Sequence, residues 1–258
     1  MMRLPAALSL VLIAASQAVA QEISVEHDMW TDLLSKYVST PEDGVRRFDY
    51  GALKANAEDM AALETYIDEL EATEISKLGA DDQFAAWANL YNALTVRLIV
   101  ENYPLRSIMN IKPHVFSIGP WKMEISEVEG RALTLDNIEH DILRVEWDEP
   151  RVHYAVNCAS YGCPSLQLKA WEGETLDEDL SAAAREYVNH PRGVSFKSNG
   201  RLEVSRIYKW FREDFGDSNE GVVEHLKLYA DPELKAQLDA GVRITGHEYD
   251  WSLNDPVQ

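Results

Sequence analysis

A chain of 258 residues with 46% hydrophobic residues can bury a sizeable core, so a disordered chain is excluded. Its 44 acidic and 24 basic residues give a net charge of −20, which disfavours nucleic acid and anionic membrane surfaces as partners. Two cysteines are too few for a disulfide scaffold or, alone, for a four-cysteine zinc site.

The chain opens on MMRLPAALSLVLIAASQAVA. Arg3 is a short basic start, residues 4–15 are apolar apart from Ser9, and Ala18-Val19-Ala20 is a small-x-small cleavage site. These parts stand in the order of a secretory signal peptide. The apolar run is shorter than the ~20 residues that a bilayer requires. Residues 1–20 are therefore expected to be removed, which takes Arg3 away and moves the net charge from −20 to −21. Residues 21–258 are expected to form one exported domain, periplasmic in the simplest case, with no stable membrane insertion after cleavage. They hold no repeat, low-complexity tract or long linker.

The N-terminal half has helical periodicity. Trp30, Leu33, Leu34 and Tyr37 recur at helical spacing, as do Leu63, Tyr66, Ile67 and Leu70. A long helix is expected over 81–103, stopped by Pro104. Asn89 and Asn92 interrupt its apolar stripe; buried asparagines need partners, and loop carbonyls are the expected ones. Strands are expected over 121–125 and 128–133, then a helix capped by Thr134 through residue 144. Residues 151–157 are expected as a buried strand. Thr175 and Glu178 have the spacing of a capping box for a helix to residue 188. Asn199-Gly200 between 194–196 and 202–204 is a hairpin signal. An aromatic helix over 207–215, helices over 222–229 and 233–238, and a strand over 242–245 complete the pattern. Strands scattered among helices predict an α+β fold, a single mostly helical domain around a small, largely antiparallel sheet.

The chemistry gathers in His153-Tyr-Ala-Val-Asn157-Cys158-Ala-Ser-Tyr-Gly-Cys163-Pro164. A loop just past a rigid element often carries reactive groups, and Cys158 falls there. A nucleophilic thiol needs a base or a cation, and the base needs an orienting group. On a strand, His153 would lie roughly 16 Å from Cys158, so His140 is the better base. Glu139 adjoins His140 on a helix and is a poor direct orienter. Asn157, Asn92 or Asp250 could serve instead. Backbone N–H groups after Cys158 could hold an oxyanion.

Two other readings of the cysteines compete. In an oxidising compartment Cys158 and Cys163 could form a disulfide in a non-enzymatic binding or assembly module. A metal site from His153, Cys158 and Cys163, with or without His140, is weaker because no second cysteine or histidine pair completes it. No nucleotide loop, G-x-S-x-G elbow or H-E-x-x-H motif is found, so no cofactor or metal is expected. Glu213-Asp214 is expected as a solvated helix end, and Tyr208, Trp210, Phe211 and Phe215 as core.

Several segments together resemble the domain of unknown function 547 (DUF547) family. They are 86–95, Pro120-Trp121-Lys122, Asp136-Asn-Ile-Glu139-His140, 153–164, Lys209-Trp-Phe-Arg-Glu-Asp-Phe215 and Tyr249-Asp-Trp-Ser-Leu-Asn254. They follow family order over nearly the whole mature chain. The resemblance implies one domain and an exported bacterial protein, without an activity. It also implies that a cysteine at 158 is the more general feature, because some relatives carry serine at the place of Cys163. That makes Cys158 the better nucleophile. A distant likeness to papain-like or transglutaminase-like hydrolases meets an opposite order here, His140 before Cys158. The expected function is an exported thiol-dependent hydrolase or acyl transferase acting on an unidentified small-molecule or peptide substrate.

Overall fold

The computed structural model describes residues 25–114 and 117–256; the leader-like segment 1–20 lies outside the described residues. The chain begins with helix α1 (Asp28–Tyr37), strand β1 (Val38–Ser39), β2 (Arg47–Phe48), α2 (Tyr50–Ala55) and α3 (Ala57–Ala72). Asn56 caps α3 by accepting from the backbone N–H groups of Glu58 and Asp59. Helix α4 (Ala80–Asn102) follows and is buried on nearly every face from Phe84 to Val100. A helix that is apolar all round belongs in a core.

The middle of the chain departs from the sequence reading. Residues 121–125 form a turn, closed by Met123 N–H on the Pro120 carbonyl at 2.8 Å, rather than a strand. The strands are β3 (Ser126–Val128) and β4 (Arg131–Leu133), an antiparallel hairpin. Glu129 and Gly130 between them both have positive φ, 51° and 75°, the geometry of a tight hairpin turn. The expected strand over 128–133 ran through this turn. Thr134 caps the next element as expected, accepting from the Asn137 N–H at 3.1 Å. That element is a π-helical stretch, Asn137–Leu143, continued by α5 (Arg144–Glu146). Wide helical turns of this kind are frequent at functional sites.

Residues 151–157 are not a strand. Val152–Ala155 form the short helix α6, entered through Val152 N–H on Glu149 O and Tyr154 N–H on Arg151 O. A short continuous apolar run fits a buried helix as well as a buried strand. Helix α7 (Leu176–Val188) occupies its expected place, but the capping box does not form. The Thr175 hydroxyl turns to Asp179 instead.

The last sheet is β5 (Val194–Phe196), β6 (Leu202–Ser205) and β7 (Ile244–Glu248). The hairpin β5–β6 is antiparallel, whereas β7 adds parallel to β6. Between β6 and β7 run α8 (Ile207–Trp210), a 3₁₀ turn (Arg212–Phe215), α9 (Asn219–Tyr229) and α10 (Pro232–Asp239). The fold is α+β, mostly helical, with small sheets of two and three strands. A contiguous core runs from Trp30 to Leu253. No helix among the described residues is long and apolar enough to cross a membrane.

Candidate active site

Two buried asparagines on α4 act as templates for the loops that shape the site. Asn89 donates to the Trp171 carbonyl at 2.8 Å and accepts from the Trp171 N–H at 3.0 Å. Asn92 donates to the Ala155 carbonyl at 2.9 Å and accepts from the Asn157 N–H at 2.8 Å. The expected loop carbonyl is found for Asn89, whereas the carbonyl bonded by Asn92 ends α6. Asn157 then closes the loop that follows it. Its Oδ1 accepts from the Ala159 N–H at 2.8 Å, and its Nδ2 donates to the Pro164 carbonyl at 2.6 Å. Asn92 and Asn157 therefore hold the thiol loop from behind and do not orient His140.

The C-terminal tail holds the same loop from outside. Tyr161 N–H bonds the Ser252 carbonyl at 2.7 Å, and Gly162 N–H bonds the Asp250 carbonyl at 2.9 Å. A Cβ at Gly162 would lie 2.8 Å from the Asp250 backbone nitrogen, so only glycine permits this approach. The Asp250 side chain is exposed and accepts from the Ser252 N–H at 2.8 Å. Asp250 serves the loop through its backbone and is not an orienter of His140.

The pinned loop places Cys158 on a cavity of about 270 Å³. Glu139, His140, His153 and Cys163 line the same cavity. Four expected site residues are thereby gathered around one space. The Cys158 Sγ is 2.8 Å from the Cys163 Sγ, 3.0 Å from the Tyr249 hydroxyl and 3.1 Å from the Ser160 hydroxyl. The two hydroxyls are 2.8 Å apart. Hydrogen bonding from Cys163, with that from Ser160 and Tyr249, holds the Cys158 thiol below its ordinary pKa, against burial and the field of Glu139. Burial, and then its neighbour Cys158, push the Cys163 thiol well up. Burial likewise keeps Tyr249 a neutral hydroxyl donor. Both cysteines are free thiols. Their 2.8 Å separation compares with the roughly 2.05 Å of a bonded pair.

No histidine among the described residues hydrogen-bonds the Cys158 sulfur; its side-chain partners are Cys163, Ser160 and Tyr249. His140 belongs to the wall of the same cavity, on the π-helical stretch. The Glu139 carboxylate lies between two imidazoles, 4.0 Å from His140 Nδ1 and 3.8 Å from His153 Nδ1. His140 Nε2 is 3.9 Å from the Asp136 carboxylate, and its Nδ1 is buried without a hydrogen-bond partner. His153 is almost fully buried and stacks on Phe211 with ring centres 4.1 Å apart. Its Nε2 meets the Asp214 carboxylate at 2.6 Å. Arg144 binds the same carboxylate through Nε at 2.6 Å and Nη2 at 2.9 Å. Burial opposes ionisation of Asp214, but the hydrogen bonds from His153 and Arg144 outweigh it and hold its carboxyl well below the usual range. Asp214 is thus a member of the cavity wall's support and not a solvated helix end; only Glu213 is.

Five of the loop N–H groups are already engaged. Those of Ala159, Tyr161, Gly162 and Cys163 bond Asn157 Oδ1, Ser252 O, Asp250 O and Ser160 O, and that of Cys158 reaches the Cys163 sulfur at 3.1 Å. The side-chain hydroxyls near the sulfur are those of Tyr249 and Ser160. Among the described residues no group of three His, Cys, Asp or Glu side chains is arranged to hold a metal ion. The His153–Cys158–Cys163 metal reading therefore gains no support.

The cavity mouth is aromatic. Trp210 is 42% exposed and packs against Tyr249 and Trp251, with ring centres 4.9 and 5.6 Å away. Trp121 adds to the same rim, 5.7 Å from Trp251, and its carbonyl is tied to the Asp136 N–H at 3.0 Å. Ile118 on this wall is 78% exposed. The expected aromatic core is therefore divided. Tyr208 and Phe215 are core, while Trp210 and Phe211 line the cavity.

Residues 75–188 match the family model described as "Protein of unknown function, DUF547". This match supports membership of the DUF547 family. The matched segment holds α4, the π-helical stretch and the whole thiol loop, so Cys158, His140, Glu139 and His153 all fall inside it. Tyr249, Trp251, Trp210 and Asp214 fall outside it. No curated protein and no solved structure matches the chain.

Proposed function

We propose that this DUF547 protein is an exported thiol-dependent acyl-transfer enzyme, a hydrolase or transferase, with Cys158 as nucleophile. The observation that carries the reading is the set of three hydrogen-bonding groups around the Cys158 sulfur, on a cavity that His140 also lines. The leader-like residues 1–20 support export.

In this reading the thiolate is stabilised by its own neighbours and needs no ion pair with histidine. His140 acts across the cavity on the substrate. The Cys158 sulfur bonds to the acyl carbon, the bond to the leaving group breaks, and His140 protonates that group. Water or an acceptor then attacks the thioester, His140 takes its proton, and the carbon–sulfur bond breaks. The Tyr249 and Ser160 hydroxyls can turn from the sulfur to the oxyanion as charge moves there. The aromatic rim favours a small apolar acyl group.

The test is single-turnover reaction with p-nitrophenyl butyrate. The expected result is a burst of nitrophenol with one butyryl group on the Cys158 peptide, absent in Cys158→Ala. A burst that persists in Cys158→Ala would overturn the reading.

A further inference from the structure

Acyl transfer as proposed uses Cys163 only as a hydrogen-bonding neighbour of the Cys158 sulfur, a role that does not itself require a second thiol. Cys163 is buried, lies on the same loop and places its sulfur 2.8 Å from that of Cys158. We infer that Cys163 is a resolving thiol that captures oxidised Cys158 as an intramolecular disulfide, so that the cavity is a reversible redox site for a small hydroperoxide.

Three features of the geometry support this. The sulfurs need to approach by only about 0.7 Å to reach bonding distance. The Cys158 N–H already points at the Cys163 sulfur at 3.1 Å, so the two residues face each other within one turn of chain. The loop ends are tied by the Asn157 side chain on the Pro164 carbonyl, which keeps both sulfurs together while the segment between them adjusts. Cys158 is half-buried and lines the cavity, so a small oxidant has access to it.

The chemistry balances with a hydroperoxide as oxidant. The Cys158 thiolate attacks the distal peroxide oxygen, the O–O bond breaks, and with one proton an alcohol or water leaves. Cys158 is then a sulfenic acid. The Cys163 sulfur attacks that sulfur, the S–O bond breaks, and the Cys163 proton leaves with the hydroxyl as water. The Tyr249 and Ser160 hydroxyls, 3.0 and 3.1 Å from the Cys158 sulfur, stand where they can hydrogen-bond the departing oxygen. An external dithiol restores both thiols by exchange.

The inference rests on an accessible Cys158 thiolate and not on acyl transfer, so a protein inert towards esters can still satisfy it. The test treats the reduced full chain with hydrogen peroxide, then alkylates it and maps its peptides by mass. The expected product is lighter by two hydrogens, contains a linked Cys158–Cys163 peptide and returns to two thiols with dithiothreitol. In Cys163→Ser the linked peptide is lost, dimedone traps a sulfenic acid at Cys158, and further peroxide drives it to the sulfinic form. Wild-type protein that accumulates sulfinic acid at Cys158 without a linked peptide would overturn the inference, whatever the fate of Cys163→Ser.

Discussion

Replacing Asn92 by alanine tests how the thiol loop is held. Asn92 is 2% exposed and makes two buried hydrogen bonds, to the Ala155 carbonyl and from the Asn157 N–H. In Asn92→Ala the Ala155 carbonyl keeps a partner, the Trp171 indole N–H at 3.1 Å. The Asn157 N–H keeps none and is left in the core. Losing two bonds at about 1 kcal/mol each, with an orphaned donor costing about 1–3 kcal/mol, predicts a loss of roughly 3 kcal/mol once the overlap between these terms is removed. That is a large share of the ~5–15 kcal/mol that holds a typical domain. Urea unfolding followed by far-ultraviolet circular dichroism reads it as a lower midpoint at unchanged slope. Asp250→Ala, which removes only an exposed acceptor for the Ser252 N–H, is expected to cost under ~1 kcal/mol in the same assay. A change below ~0.5 kcal/mol for Asn92→Ala would refute the template role, because the orphaned donor alone exceeds it.

Cys163→Ala removes the first of the hydrogen bonds that lower the Cys158 pKa, so the pH profile of Cys158 alkylation is expected to shift to higher pH. Iodoacetamide rates at a series of pH values check this. Burial pushes the His27 and His225 pKa values down to about 4, and each neutral ring faces a tyrosine hydroxyl, Tyr66 at 2.7 Å and Tyr154 at 2.8 Å. The unfolded chain takes up these protons near pH 6.5, so stability is full above that value and falls as pH drops towards 4, by at most about 3 kcal/mol per histidine. Urea midpoints across this range are expected to decline, and more shallowly in His27→Gln or His225→Gln. The lowered Asp214 carboxyl acts in the same direction at still lower pH, where its protonation releases Arg144 and His153. Trp210→Ala is expected to slow labelling of Cys158 by N-phenylmaleimide more than by iodoacetamide, because it removes apolar rim surface. Equal slowing of both reagents would count against an apolar site.

Much of the fold was legible where helical periodicity was strong. Helices α1, α3 and α4 stand where Trp30, Tyr66 and Leu90 recur with their apolar neighbours, whereas α7 stands where a capping-box spacing pointed although that box does not form. The reading failed at 151–157, where a run of apolar residues carries no period to separate strand from helix. It also failed around Glu129-Gly130, where a turn hid inside β-favouring residues. The site was half legible. Cys158, His140, Glu139 and His153 are reactive types close in sequence, and the cavity gathers them. The need of a buried asparagine for backbone partners pointed correctly to a loop carbonyl for Asn89, while Asn92 takes the carbonyl at the end of α6. Tyr249 and Asp214 reach the site across 91 and 61 residues of chain, from Cys158 and His153 respectively, and only tertiary packing brings them there. Their local signals were slight, a conspicuous Tyr-Asp-Trp tail and an acidic pair that resembled a solvated helix end.

The geometry sets the two thiols apart: hydrogen bonds lower the Cys158 pKa at the cavity wall, and burial raises that of Cys163. Alkylation of the folded, reduced chain with iodoacetamide near neutral pH, read by peptide mass, tests it most directly. Labelling is expected at Cys158 alone, with an inflection below the ~8.5 of an ordinary cysteine. Labelling of neither cysteine until the chain is unfolded, or of both at one rate, would contradict it.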